Sequence, residues 1–356
     1  MRNMVDQAER ILRTDHLAAA LQGDADEFSE LTEPYRRELR VHCYRILGSL
    51  MEAEDMVQET FLRAWKRLAT YHGRSTFRAW LYKIATNACL DWLDRVRSRR
   101  YLPADISPAS DPETDLVPPS PEVRWLEPCP DKWLIDQAAA NPEAHYSTTE
   151  SISLAFLTAL QTLPPRQRAV LILCDVLEWS AQETADLLGL TDSSVSSALH
   201  RARITLAKSY QGRKTKRTTF QKTDELKRKL LNGYVHAWQA ADVDELVALL
   251  KQDATFSMPP SPAWYLGRAA IRQFTRATVF ANDGIFPGKA RGRWKLYPVQ
   301  ANRQPAAAIY VRGVTDEYRP AGIHVLTIEG SHLSQIIGFM DPALPIHFGL
   351  PAVIEG

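Results

Sequence analysis

Apolar positions between residues 13 and 100 recur at intervals of three and four: Leu39, Cys43, Ile46 and Leu47, then Val57, Phe61, Leu62 and Trp65. That spacing lays an apolar stripe along one side of a helix, and Pro34 is the single proline in the span, so the segment is predicted to be helical almost throughout. The pattern collapses over residues 102–142, where nine prolines fall within 41 residues; this predicts an extended linker without a core of its own. Helical spacing resumes at Ser151 and holds to about Ser209, interrupted at Leu163-Pro164-Pro165, where the second proline can open a helix in its first turn. Beyond Thr223, helical stretches at 226–238 and 243–250 precede strand-like runs at 254–258, 294–299, 307–311, 324–328 and 333–340. Glu329-Gly330-Ser331 reads as the hairpin turn between the last two runs, which makes this third unit α+β.

The stretch SAQETADLLGLTDSSVSSALHRAR, residues 180–203, carries the punctuation of two short helices. Ser180 and Glu183 form a capping box, Gly189 suits the left-handed residue that ends a helix, and Thr191 can cap a second helix that buries Val195, Leu199, Ala202 and Leu206. This is helix-turn-helix spacing, although any tight helical corner with a glycine turn reads similarly. With the second helix in a major groove, Asp192, Ser193, Ser194, Ser196 and Ser197 face base edges, while His200, Arg201 and Arg203 reach phosphates.

Charge sharpens the division. The net charge of +1 conceals an acidic segment, residues 101–150 with ten acidic and two basic side chains, followed by a basic one, residues 151–223 with five acidic and ten basic. That order suits a nucleic-acid binder with an internal acidic spacer. Cys43, Cys89, Cys129 and Cys174 are widely spaced, with no C-x-x-C pair and no Cys–His set at metal-ligand spacing, which argues against a zinc site or a disulfide frame. No metal or other cofactor is expected. The N-terminus lacks the apolar core of a signal peptide and no run approaches 18 apolar residues, so a soluble, cytoplasmic protein without membrane contact is expected.

Two segments before the linker carry candidate chemistry. Residues 51–68 expose Glu52, Glu54, Asp55, Gln58 and Glu59 opposite an apolar stripe, which fits either a solvated face or a docking face. Residues 70–100 interleave Tyr71, Phe77, Trp80, Tyr82 and Trp92 with Arg74, Arg78, Lys83, Arg95, Arg97, Arg99 and Arg100. Aromatic faces among cations are what a separated nucleic-acid strand needs, because bases stack on rings while the backbone tracks the charges; rings in a core are the alternative.

AEDMVQETFLRAW, FRAWLYKIATNACLDWL and LPPRQRAVLILCDVLEWSAQETADLLGLTDSSVSSALHRAR, in that order around a proline-rich linker, resemble regions 2 and 4 of the extracytoplasmic-function (ECF) group of bacterial sigma-70 factors. The third unit, from LLNGYVHAWQAADVDELVALL onward, resembles the opening of SnoaL-like (NTF2-like) domains. The resemblance implies a multidomain chain: two all-α sigma domains, a region 2 helical bundle (13–100) and a region 4 helix-turn-helix (151–211), joined by the acidic linker (101–150). An α+β NTF2-like cone (224–350) completes it. It also implies a non-enzymatic initiation factor whose partners are core RNA polymerase, through its β′ clamp helices and β flap, and promoter DNA. Asp55, Gln58 and Glu59, backed by Phe61 and Trp65, fall where such factors engage polymerase. Tyr71, Arg74 and Phe77 fall on the loop that captures a flipped −10 base, and Trp80, Asn87 and Arg95 on helices that hold the melted strand. Ser193, Ser194, Ser196, Ser197, His200, Arg201 and Arg203 fall on the −35 reader.

The linker stretch RWLEPCPDKWL resembles a signature of the SnoaL-bearing subset; its Trp125 and Leu126 are apolar anchors suited to an intramolecular contact with the C-terminal domain. Two departures stand out. Family recognition helices often carry a lysine and an arginine where this chain has Ser196 and Ala198, and a D-G-G-G-K element of a related subset matches only loosely at Asp283 to Lys289. A rival reading makes the cone an enzyme or ligand-binding module fused to a DNA-binding regulator. Trp238, Phe256, Met258, Trp264, Tyr265, Phe274, His324 and Asp341 are its candidate lining, although no second titratable group stands at a telling spacing from His324. An ordinary operator-binding regulator leaves residues 51–100 unexplained.

Overall fold

Asp24 starts the first long helix, α1 (Ala25–Leu47), because its carboxylate accepts from the Asp26 and Glu27 amides, and Gly48 ends it at φ 71°. Ser49 then caps α2 (Leu50–Lys66) through the Glu52 amide, and Thr76 accepts from Ala79 at the start of α3 (Phe77–Val96). The computed structural model describes residues 15–73, 75–96, 99–114, 118–134, 150–211, 223–283, 288–313 and 316–355. They divide into two compact units: Met1–Arg99, Trp133–Ser151 and Ala159–Ser209, and Arg100–Lys132, Ile152–Thr158 and Tyr210–Gly356.

In the first unit α1, α2 and α3 bury a shared face made of Leu39, Cys43 and Ile46, Ala53 and Val57, and Leu81, Ala85 and Cys89. After α4 (Leu154–Gln161), Pro165 occupies the first turn of α5 (Pro165–Leu171), which runs into a π-helical turn over Ile172–Val176. The helix-turn-helix follows as α6 (Ala181–Leu188) and α7 (Asp192–Gln211) around a core of Val170, Ala185, Val195 and Ala198. Arg168, wholly buried on α5, fastens this part to the α1 bundle: it donates to the Ile46 carbonyl, to the Gln161 side chain at 2.7 Å, and to the Gln161 and Leu163 carbonyls at 3.3 and 3.1 Å. Burial, with a smaller push from Arg99, moves its guanidinium down to about 9, so it remains charged at neutral pH.

The second unit holds a seven-stranded sheet. Two short strands precede it: β1 (Arg100–Tyr101) pairs in parallel with β2 (Arg124–Trp125). Helices α8 (Thr223–Ala240) and α9 (Val243–Ala248) lead into β3 (Leu250–Ser257), β4 (Trp264–Leu266), α10 (Arg268–Phe274), β5 (Trp294–Ala301), β6 (Gln304–Arg312), β7 (Glu317–Glu329) and β8 (His332–Phe339). α11 (Ala343–His347) and β9 (Ile354–Glu355) close the chain. The order is β4-β3-β8-β7-β6-β5, antiparallel except for β3 beside β8, with β9 on β7. Tyr234 and Trp238 of α8 join Phe256, Phe274, Trp294, Ile309 and Ile336 in the core against the inner face.

The linker makes contact with the C-terminal domain, as the sequence suggested. Its backbone is extended, but it is tied to the second unit at several points. Ser107 and Ser110 bond at Trp264, whose indole donates to the Ser107 carbonyl at 2.9 Å, and Glu113 accepts from Gln273 at 2.9 Å. Cys129 exchanges bonds with Asn302, donating to its side chain at 2.8 Å and accepting from its amide at 2.9 Å, while Asp131 accepts from the Arg303 amide at 2.8 Å. Asn302 and Arg303 form the two-residue β5–β6 turn, both at positive φ, and this turn offers the polar groups that the proline-rich chain cannot supply to itself.

Candidate nucleic-acid interface

The helix-turn-helix is built as the sequence spacing requires. Ser180 and Glu183 make reciprocal bonds at the start of α6, Gly189 ends it at φ 66°, and the Thr191 hydroxyl accepts from the Ser194 amide at 3.2 Å. α7 buries Val195, Ala202 and Leu206 and leaves Ser193, Ser194, Ser196, Ser197, His200 and Arg201 exposed. Two residues stand differently from the sequence expectation. Arg203 does not project freely, because it clamps the buried Asp175 carboxylate with bonds of 2.9 and 2.5 Å, so its guanidinium is a brace for α7. Ala198 is 9% exposed and belongs to the core, so it is not a base-reading position. Asp175 was missed; its one signal is a lone carboxylate in the apolar run LILCDVL.

At the start of α3, Tyr71, Phe77 and Trp80 form one half-exposed aromatic cluster with ring centroids 5.3 to 5.5 Å apart, and Tyr35 meets Phe77 at 5.8 Å. The Tyr71 hydroxyl donates to the Ser75 carbonyl and fixes the approach to the helix. Asn87 is half-buried further along α3, and Arg95 is exposed, its guanidinium 5.7 Å from the Trp92 ring. Several cations expected in a charged funnel are committed elsewhere: Arg78 to Glu38, Lys83 to the Asp186 carbonyl, and Arg100 to the Trp125 carbonyl and Glu127. Arg74 and Arg97 lie outside the described residues, as do 284–287 and the basic tail at 212–217.

On α2, Asp55 and Gln58 are exposed beside Met51 and Leu62, which are 49% and 48% exposed. Glu59 is bonded to Arg63 at 2.7 Å; Phe61 lies under the Arg36 guanidinium at 5.0 Å, and Trp65 packs on Phe28 at 5.0 Å. An acidic stripe edged with apolar side chains is therefore presented on a braced helix.

Three family models match consecutive parts of the chain: Sigma-70 region 2 over residues 31–100, Sigma-70 region 4 over 153–206, and a SnoaL-like domain over 231–332. An ECF RNA polymerase sigma factor of Mycobacterium tuberculosis, SigG, is 43% identical over 326 residues, spanning 91% of this chain and 84% of that one. The chain belongs to the ECF RNA polymerase sigma factors. SigW of Bacillus subtilis, an ECF sigma factor, is 28% identical over 187 residues, 52% of this chain and 90% of its own. The crystal structure of the M. tuberculosis extracytoplasmic function sigma factor SigJ shares the fold, with a TM-score of 0.52 at 19% identity over 92% of this chain and 100% of that one. The sigma factor thus combines helical regions 2 and 4 with a SnoaL-like α+β domain, and factors of this family bind core RNA polymerase and promoter DNA.

The SnoaL-like domain of the sigma factor, with Pro119 of the linker, lines a partly open cavity of about 280 Å³. Trp238, Met258, Phe274 and His324 line it, as the sequence suggested, together with Trp294, Ile309 and Met340, which the strand pattern did not single out. Phe256 and Trp264 are not in the lining: Phe256 packs behind it in the core, and Trp264 holds the linker. Tyr265 stacks on Phe274 at 4.1 Å, and Asp341 is exposed and caps Ala343. His324 is 1% exposed, its Nδ1 lies 2.6 Å from the Tyr234 hydroxyl, and burial pushes it down to about 3. Through its backbone Trp125 pairs with Tyr101 of β1, the Leu126 amide donates to the Tyr101 carbonyl, and the Leu126 side chain is buried. The hooks onto the sheet are Cys129 and Asp131, and their partners Asn302 and Arg303 could have been found only as a turn between two strand patterns.

Proposed function

We propose that this sigma factor docks on core polymerase through the α2 face bearing Asp55 and Gln58, with Glu59, Phe61 and Trp65 holding that face in place. The β′ clamp helices are its target, and region 4 takes the β flap. Tyr71, Phe77 and Trp80, with Arg74, Asn87 and Arg95, receive the unstacked −10 strand, where stacking of about 1–3 kcal/mol per base offsets the cost of opening. Ser193, Ser194, Ser196, Ser197, His200 and Arg201 meet the −35 element, with Arg203 bracing α7 through Asp175. RNA synthesis remains the polymerase's chemistry, and the factor works in the cytoplasm where polymerase is; no described helix is long and apolar enough to cross a membrane.

The observation that carries this reading is α7 itself, a helix whose apolar side is locked in a core while its hydroxyl, imidazole and guanidinium side faces solvent at the end of a glycine-turn pair. Run-off transcription with core polymerase tests it. Promoter-dependent transcript is expected from the full chain, and its absence from both the full chain and a truncation after Gln211 sinks the reading. The SnoaL-like domain is regulatory rather than catalytic. Among the described residues His324 is the one titratable side chain lining its cavity, and a group that binds a proton only near pH 3 is a feeble base at neutral pH. Truncation is therefore expected to change transcription, and turnover of a small substrate by the full chain would revive the enzyme.

A further inference from the structure

Nothing in promoter recognition requires a cavity in the SnoaL-like domain, yet the wall chemistry of this one is specific. Its lining is almost wholly apolar, with Trp238, Trp294, Phe274 and Ile309 around a single imidazole. Burial pushes the Tyr234 phenol well above its usual value, against a smaller opposing pull from Trp238, so it keeps its proton, and its hydroxyl lies 2.6 Å from His324 Nδ1; the site takes the tautomer in which that hydroxyl donates to Nδ1. The ring hydrogen of neutral His324 then sits on Nε2, which has no partner among the described residues. Room for that edge is made by Gly338, paired with His324 across β7 and β8, where a Cβ would stand 2.7 Å from Nε2. Pro119, from the acidic linker, forms part of the same lining. The linker is anchored on either side of it, at Trp264 and Gln273 before and at Asn302 and Arg303 after. The helix after α10 loosens into a π-turn, Thr275–Val279, that brings Val279 to the wall.

We propose that this cavity is a binding site for an uncharged, flat ligand of two-ring size that accepts one hydrogen bond from His324 Nε2 and closes against Pro119, so that its occupancy is transmitted to the linker. Size follows from volume: a dry apolar cavity of about 150 Å³ takes one benzene ring, and this one is about 280 Å³. Neutrality follows from the absence, among the described lining residues, of any carboxylate or cationic group to pair with a charge. The acceptor follows from Nε2, which must otherwise stay unpaired beside apolar walls. The proposal does not rest on the promoter reading, because binding is measured without polymerase or DNA.

The test is calorimetric titration of the full chain at pH 7.5 with quinoline, whose ring nitrogen is the acceptor, and with naphthalene, its isostere without one. Saturable one-to-one binding of both is expected, with quinoline about fivefold tighter, the worth of one neutral hydrogen bond. His324→Phe should erase that preference. Val279→Phe, which fills the cavity with an apolar side chain and leaves the Tyr234–His324 pair intact, should abolish both titrations while the protein stays folded by circular dichroism. Hydrogen exchange supplies the linker readout: quinoline should slow exchange in peptides covering residues 118–126 of the unsubstituted chain and have no effect in Val279→Phe. Failure of either probe to saturate at millimolar concentration overturns the site, as does binding that survives Val279→Phe. Binding that leaves residues 118–126 unchanged overturns the coupling to the linker.

Discussion

Arg168 is the side chain on which the helical unit is most exposed to a single substitution. It is a wholly buried cation with no carboxylate on its bonds; its two terminal nitrogens donate to three main-chain carbonyls and the Gln161 amide oxygen, while Nε has no partner among the described residues. One carbonyl, that of Ile46, belongs to the last turn of α1, where helical carbonyls lack intrahelical partners, so the guanidinium caps one part of the unit while growing out of another. Replacing it by methionine keeps most of the buried stem and removes the fork. The desolvation cost of the guanidinium is then recovered, but four acceptors lose their donor. Removing one side of a buried charged network costs about 3–5 kcal/mol, and the low end applies because methionine repacks the stem, so about 3 kcal/mol is expected. Arg168→Lys tests geometry apart from charge: one ammonium cannot span acceptors spread over Ile46, Gln161 and Leu163, so lysine should recover less than half of the loss. The assay is native-state hydrogen exchange at the last turn of α1 and along α5, where 3 kcal/mol accelerates exchange by about a hundredfold. Exchange within twofold of the unsubstituted chain, or full rescue by lysine, refutes the reasoning.

Arg203→Ala should lower the melting temperature of the helix-turn-helix by leaving the buried Asp175 carboxylate unpaired; with Arg203 half exposed the loss is about 2 kcal/mol, and adding Asp175→Asn should restore most of it. An unshifted melt for Arg203→Ala removes the brace. Arg201→Ala is expected to weaken all promoters alike and Ser196→Ala to change their ranking in a run-off panel; equal effects on every promoter by both contradict the division between phosphate and base contacts. His42 in the first unit and His324 in the second both have folded values near 3 against 6.5 unfolded, so the unfolded chain binds more protons between those limits and stability is lost as pH falls below about 6.5. Each histidine costs about 2 kcal/mol by pH 5, read as a fall in melting temperature between pH 7.5 and 5, and a flat profile rules this out. Asn302→Gly keeps the positive φ but removes the side-chain bonds to the Cys129 amide and Ile152 carbonyl, so exchange at Cys129 should quicken by roughly thirtyfold for about 2 kcal/mol of lost bonding; protection equal to that of the unsubstituted chain would show the hook to be idle.

What could be read from the sequence was whatever is encoded by local rules. The capping box at Ser180, the left-handed Gly189, the proline opening α5 and the Gly330-Ser331 turn are each decided by neighbouring residues, and each stands in the structure where the pattern put it. Five of the sheet's strands were placed, most of them cut short, while β4 and β9 were not: β3 begins at Leu250 rather than near 254 because polar Lys251, Gln252 and Asp253 lie at its outer edge and break the apolar run. The commitments of side chains were not legible. Arg203 and Arg201 look alike in sequence, and only the depth of Asp175, 28 positions away, separates a brace from a free cation. The points at which the linker is held were hidden for a related reason. Proline content forecasts an extended backbone correctly, but whether that backbone is solvated depends on a turn 173 positions away, at Asn302.

These commitments alter what α7 can do as the proposed −35 reader. Small size at position 198 is a packing requirement, since a longer side chain there would have to leave the region 4 core, so the departure from the basic pattern of related recognition helices narrows to Ser196. With Arg203 held by Asp175, the basic side chains left on the exposed face of α7 are His200, Arg201 and, two turns after Arg201, Lys208. On the proposed reading, Arg201 and Lys208 as phosphate contacts give a salt slope of only about −2, well below that of proteins that hold DNA by charge alone. Hydroxyls at four neighbouring positions accept or donate to either base type and add little discrimination by themselves. A reader of this kind works when something else supplies the encounter. Tethering to a polymerase-bound region 2 does so by raising the local concentration of α7 at the −35 site, and the tether is the linker, whose hold on the SnoaL-like domain at Trp264, Gln273, Asn302 and Arg303 sets how much of its length is free. Regulation by that domain then needs no contact with DNA: releasing or tightening the linker changes the effective concentration of a weak reader, and a weak reader is the one most sensitive to that change.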